Sequence, residues 1–387
     1  MLPRFNLTIE PASVESADLK ITGSVETEEP SLSFTLMPWH SYEFSRAGKS
    51  ITVRDKTKIQ FTDEGAHSVE FEGTSHMSGE KYAASEGEIY CLNNSVPNPE
   101  VLSNGSYYNV RFVLPHGYSA LVSDADVLQL NGLEFQIAQF AKPVVCQQQD
   151  VRLEFVFPRG YSARKEYLDF IKNQLAADIE RIGKLPYSTI KIGVIRRGGQ
   201  TEINGNPSGN LILYSRTALG DPVSLKSPAA VGITDDISVP LRKLVIAHEL
   251  SHLWFGSEYL GKDGWMQEGI PQYLGWVAAT NEESASTRGA MLTFFEKMSM
   301  KGSRGPIPNH PFNETDSGII QSYYQGPLAL YKVGEQIGQD KLLAFLLSVY
   351  REHRDPTFDD FNRKFADDFP AHHSLWWHLW QLDQSQS

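Results

Sequence analysis

Cysteine is scarce: Cys91 and Cys146 are the only two in 387 residues. Two cannot build a disulfide framework, so stability must come from buried apolar surface. Long apolar runs are missing as well. The longest, from Leu342 to Tyr350, covers nine residues, about half of the roughly 20 that a membrane-spanning helix needs. No span is therefore expected. The start, MLPRFNLTIE, lacks the basic and apolar segments of a secretory leader. A cytoplasmic location is expected, unless a leader has been removed, in which case the protein is periplasmic or secreted. Positive charge is short too, with 35 Lys and Arg against 47 Asp and Glu, a net charge of −12. That balance argues against nucleic acid as a partner. No Gly-x-Ser-x-Gly elbow and no phosphate-binding loop occur, so serine-hydrolase and nucleotide-dependent chemistry lack support. No internal repeat is visible.

The length predicts two or three domains. Residues 1–157 alternate apolar and polar positions, as in Leu19 and Ile21, in Tyr108, Val110, Phe112 and Leu114, and in Val151, Leu153, Phe155 and Phe157. Period two means strands with one face buried. Turn clusters such as Asn93-Asn94-Ser95 separate them, and an antiparallel β-sandwich-like domain is expected. The pattern changes at Pro158. Tyr167, Leu168, Ile171, Leu175, Ile179 and Ile182 repeat at helical spacing and Gly183 supplies a stop. Strands are predicted near 190–195 and 211–214. From Pro240 onward helices dominate, including 327–337, 340–353 and 357–368, with a proline-rich loop over 302–315. Residues 158–387 are thus expected to form a second, mixed α/β and helical domain.

His248-Glu249-Leu250-Ser251-His252 is an HExxH pattern on a predicted helix. Residues four apart share one face, so both imidazoles reach one ion. Glu249, one position round, is placed as general base toward a water at the metal. Zinc needs a third protein ligand and one open position. Glu258, Asp263 and Glu268 are the candidates. Glu268 is favoured, because Pro271 behind it can open a new helix and so set a carboxylate across from the first.

VIAHELSHLWFG (245–256) and DGWMQEGIPQY (263–273) resemble the zinc helix and the acidic, Trp and Glu-Gly segment of the membrane-alanyl-aminopeptidase family, which includes leukotriene hydrolase. The glycyl aminopeptidase family is a near alternative. The resemblance is strongest over 240–275. It implies a thermolysin-like (gluzincin) catalytic domain after the β domain, and peptide hydrolysis with Zn2+ held by His248, His252 and Glu268. Glu249 is then the proton acceptor and a peptide the partner. This chain places 15 residues between His252 and Glu268, three fewer than the family pattern. The family also carries a Tyr three residues before a Gly that opens a helix, whose hydroxyl steadies the oxyanion. Tyr323-Tyr324-Gln325-Gly326 fits, with Tyr323 at the matching place. The family's Glu for the substrate's free amine has no counterpart: in NGNPSGNLILY (204–214) Pro207 stands there. Glu202 is a nearby acid. Two other functions stay open, a non-catalytic peptide- or partner-binding scaffold and a hydrolase of a non-peptide substrate such as an epoxide.

The Trp-rich tail SLWWHLW (374–380) is expected to pack into a core or to dock as an amphipathic helix. His372, His373, His378 and His310 lack ligand spacing.

Overall fold

The computed structural model describes residues 4–14, 18–28, 31–35, 40–46, 49–52, 56–60, 67–76, 82–85, 87–91, 98–99, 106–128, 133–195, 204–222, 235–256, 259, 263–301, 307, 316–353 and 355–381. The chain divides into two compact units, Met1–Arg164 with Tyr187–Pro222, and Lys165–Pro186 with Val223–Ser387. Each unit thus takes two stretches of sequence, whereas periodicity alone suggests a single change at 157/158.

Among the described residues of the first unit, thirteen strands come first: β1 (Arg4–Pro11), β2 (Asp18–Thr27), β3 (Ser31–Thr35), β4 (His40–Arg46), β5 (Lys49–Thr52), β6 (Lys56–Gln60), β7 (His67–His76), β8 (Tyr82–Ser85), β9 (Glu88–Cys91), β10 (Asn98–Pro99), β11 (Tyr107–Phe112), β12 (Ser119–Val122) and β13 (Phe135–Ala138). They form sheets in the orders β11-β1-β2-β7-β4-β5, β10-β3-β6 and β12-β13-β9-β8. The alternation turns Phe5, Leu7 and Ile9 of β1 and Leu19, Ile21 and Val25 of β2 inward. There they meet Ile89, Phe135 and Ile137 of the four-stranded sheet, which makes the expected sandwich core. Pairing is antiparallel except between β1 and β11. Those two are far apart in sequence, so a parallel return is available to them.

A five-stranded sheet follows, in the order β14 (Val144–Gln148), β15 (Val151–Val156), β16 (Thr189–Ile195), β18 (Leu211–Ser215), β17 (Gly205–Ser208). β15, β16 and β18 run parallel, and β14 and β17 are antiparallel edges. All five residues of β18 are buried. Unbroken apolar sequence is what a central strand of a parallel sheet requires.

The second unit is helical: α1 (Lys165–Ile182), α2 (Asp235–Ser251), α3 (Ile270–Thr280), α4 (Ala285–Ser299), α5 (Asp316–Ile320), α6 (Gly326–Ile337), α7 (Gln339–Glu352), α8 (Phe358–Asp368) and α9 (His373–Gln381). Gly183 closes α1 with a φ of 125°, and Thr357 caps α8 with a reciprocal capping box to Asp360. No described helix is long and apolar enough to cross a membrane.

Asp178 on α1 is an exception to an apolar interior. It is 4% exposed, and Oδ1 accepts from Gln174 Nε2 at 2.8 Å. Burial pushes its carboxyl up to about 7, against the opposing pull of the Gln174 hydrogen bond and the Arg181 charge. The folded chain then binds a proton that the unfolded chain releases near pH 4. Stability should fall as pH rises from about 4 through 7. Asp178→Asn is expected to melt several degrees above the wild type at pH 8, with the gap closing toward pH 5. A gap independent of pH in thermal melts would count against this.

Candidate metal centre

α2 carries Leu244, Ile246, Ala247 and Leu250 into the core, which orients the face bearing His248 and His252. The two Nε2 atoms lie 3.1 Å apart. Glu268 Oε2 lies 3.3 Å from the first and 3.4 Å from the second. Ligand atoms each about 2.0–2.1 Å from one ion at tetrahedral angles stand about 3.3–3.4 Å apart. The three edges match that spacing. Two imidazole nitrogens and a carboxylate oxygen converge on one point, a donor set that suits a cation. His252 Nδ1 sits 3.0 Å from the carbonyl of Phe255. Donation there leaves the Nε2 lone pair facing the centre, as ligating imidazoles require. Gly256, with a φ of 142°, turns the chain after the helix, so that this carbonyl comes back beneath the ring. The site therefore fits zinc by donor type, spacing and outer support.

Electrostatics agree. Burial works against a proton on His252, but the Glu268 carboxylate, with help from Glu249, raises it to about 9. Burial likewise works against charge on Glu268, yet His252 and hydrogen bonds from both imidazoles hold it far below the usual carboxylate range. Glu249 is 5% exposed, and its carboxylate and both imidazoles offer ligand atoms within 4.8 Å of one another.

Asp263, another candidate, makes contacts of a different kind. Its carbonyl accepts from Met266 and Gln267, and its charge acts on Tyr350. Glu258 and Glu202 lie outside the described residues, as does His310. Pro207 sits on edge strand β17, opposite Ile212.

Tyr323 joins the centre and Tyr324 does not. The Tyr323 ring stacks on His248 with centroids 5.8 Å apart and planes at 27°. Its hydroxyl hydrogen-bonds Glu268, and burial, then the charges of Glu268 and Glu249, hold it protonated. Tyr324 packs instead on Phe294 and Phe295.

Both Glu268 and Tyr323 ride on π turns, Trp265–Gly269 ahead of α3 and Gln321–Gln325 ahead of α6. Each turn closes with an N–H to a carbonyl five residues back, Ile270 to Trp265 and Gly326 to Gln321. A proline follows each at the same offset, Pro271 and Pro327. In an α-helix each ring would collide with the carbonyl four residues back, on Gln267 and on Tyr323. Widening the turn relieves the collision, and such turns gather at functional sites. The two turns also touch. A Cβ on Gly269 would stand 3.0 Å from the Ser322 carbonyl, and one on Gly326 would stand 3.2 Å from Trp265 Cβ.

Gly275 is a residue the sequence reading missed. A Cβ there would lie 2.5 Å from the Leu244 carbonyl and 3.0 Å from the His248 amide, so its absence lets α3 lie against α2. The available signal was a glycine inside a helical stretch, where it costs about 1 kcal/mol against alanine. Gly275→Ala should separate the helices, destabilise by roughly 1–3 kcal/mol and weaken zinc retention. Unchanged denaturant midpoint and zinc content would contradict it.

No protein-family model and no curated sequence matches the chain. Solved structures do. An M1 zinc metallopeptidase from Deinococcus radiodurans aligns with a TM-score of 0.70 at 15% identity, covering 98% of this chain and 94% of that one. A two-domain M1 zinc metallopeptidase mutant bound to L-tryptophan aligns with a TM-score of 0.69 at 14% identity, with coverage of 98% and 94%. A Deinococcus radiodurans mutant bound to a Tyr-Ser-Ala substrate gives 0.68 at 15%, again with 98% and 94%. Over nearly its whole length, the chain has the fold of the M1 zinc metallopeptidases.

Proposed function

We propose that this protein is a zinc-dependent peptidase, aminopeptidase-like in architecture. The observation that carries the reading is the triangle of His248 Nε2, His252 Nε2 and Glu268 Oε2, with edges of 3.1, 3.3 and 3.4 Å. The solved tripeptide complex of a protein with this fold supports a peptide as substrate. Zinc held by the three side chains would supply Lewis acidity toward the scissile carbonyl and toward water. Glu249 takes the proton of the attacking water as its oxygen bonds the carbonyl carbon. It then gives that proton to the amine as the C–N bond breaks. The Tyr323 hydroxyl donates to the oxygen that gains negative charge.

Removal of metal by a chelator is expected to stop peptide hydrolysis, and stoichiometric zinc to restore it. By the sequence resemblance, Pro207 stands where the family has its amine-binding Glu. Blocking the N-terminus of a peptide should therefore cost less than the roughly 2–5 kcal/mol that follows loss of one partner of a buried charge pair. Kinetics on matched free and N-acetylated peptides check this. Hydrolysis that survives chelation would sink the zinc reading. A strict requirement for the free amine would sink only the second expectation.

A further inference from the structure

We propose that Trp380, on the last helix of the described chain, is a positioning residue for the metal ligand Glu268. The inference rests on reading His248, His252 and Glu268 as zinc ligands. Trp265 begins the π turn that carries Glu268 and is fully buried. Its indole meets Trp380 with centroids 4.5 Å apart, and also Phe361 at 5.0 Å and Phe358 at 6.2 Å. On its other side, Trp265 Cβ faces Gly326, at the end of the turn that carries Tyr323. Trp265 is thus a wedge between the two π turns, and Trp380 is its backing.

Trp380 is itself held. It is fully buried, its ring lies 5.3 Å from Trp376, and its carbonyl accepts the Ile307 N–H at 3.1 Å. Trp376 in turn stacks on Phe365 at 4.4 Å. Trp377, between them in sequence, is 46% exposed. The helix therefore presents Trp376 and Trp380 inward. Trp380 alone of the three tail tryptophans makes a ring contact with the ligand turn among the described residues. A turn with π pitch is a widened, less regular backbone. Its geometry depends on what packs behind it, and removal of a large indole leaves a void that the turn can move into.

The consequence is readable in the metal rather than only in the melting temperature. Zinc affinity of the full-length protein would be measured by competition with a chelating dye, well below the melting transition. The visible spectrum of the cobalt-substituted protein would report ligand geometry. Trp380→Ala is expected to weaken zinc binding roughly 10–100-fold, the range that partners behind metal ligands command, and to alter the cobalt bands. Trp380→Phe keeps an aromatic ring and the fold, and should give a smaller loss in the same direction. Phe365→Leu disturbs the same aromatic cluster without a ring contact to Trp265. It should lower the melting temperature and leave zinc affinity and the cobalt spectrum unchanged, and Trp377→Ala should change neither. The proposal is overturned if both Trp380 variants bind zinc like the wild type, or if Phe365→Leu loses zinc to the same extent. A wild-type protein that binds no zinc would overturn the ligand reading itself, a result distinct from either.

Discussion

Glu249→Gln is expected to leave zinc bound and to lower peptide hydrolysis by roughly 10²–10⁴-fold, the usual worth of a positioned general base. The change is isosteric, so the buried space that Glu249 fills stays filled. His248, His252 and Glu268 keep the 3.1–3.4 Å triangle proposed to hold the ion. What is lost is the ability to take a proton, because a carboxamide oxygen is a poor base. The loss should appear in kcat with zinc content unchanged, the signature of a group needed only as bonds change. Wild-type turnover in Glu249→Gln would remove Glu249 from the chemistry. Loss of zinc together with activity would make it a structural support of the centre instead.

Tyr323→Phe is expected to cost roughly 10²–10³-fold in kcat with little change in KM, as removal of one oxyanion donor does. The substitution deletes a single oxygen. The ring remains stacked on His248, and the π turn still ends at Gly326. Tyr324→Phe is the internal comparison. Its ring lies against Phe294 and Phe295, away from the imidazoles, and its loss should leave kcat near the wild-type value. Equal kcat for the two variants in steady-state assays would refute the assignment to Tyr323.

Much of this architecture was legible in the chain. Alternation at Phe5, Leu7 and Ile9 and at Leu19 and Ile21 requires strands with one buried face, and those residues do face one core. His248 and His252 are neighbours because a helical period puts them there. The choice among Glu258, Asp263 and Glu268 was harder, since a loop of unknown path separates all three from the helix, and sequence spacing carries no angle. The π turns were invisible for a related reason. Hydrophobic period detects an average pitch, and one widened turn does not alter it enough. Pro271 and Pro327 were visible only as helix starts. That each would force the turn before it open depends on where the helix already runs. Gly275 left a weak mark, because a missing side chain becomes informative only once its neighbours, the Leu244 carbonyl and the His248 amide, are known. The pairing of β1 with β11 joins residues about a hundred positions apart, and no local signal reaches that far.

The two π turns have a further consequence for how this centre tolerates change in chain length. A π turn is an α-helical turn with one residue inserted. Deleting a single residue within Trp265–Gly269 would remove the residue that the widened turn accommodates, and each residue of a helix turns by about 100°. The Glu268 carboxylate would swing away from the two imidazoles while α3 kept its sequence and its apolar face. The same holds for Tyr323 within Gln321–Gln325. The length of these windows is therefore constrained along with their side chains, and two counts of five residues fix where the acid and the phenol stand.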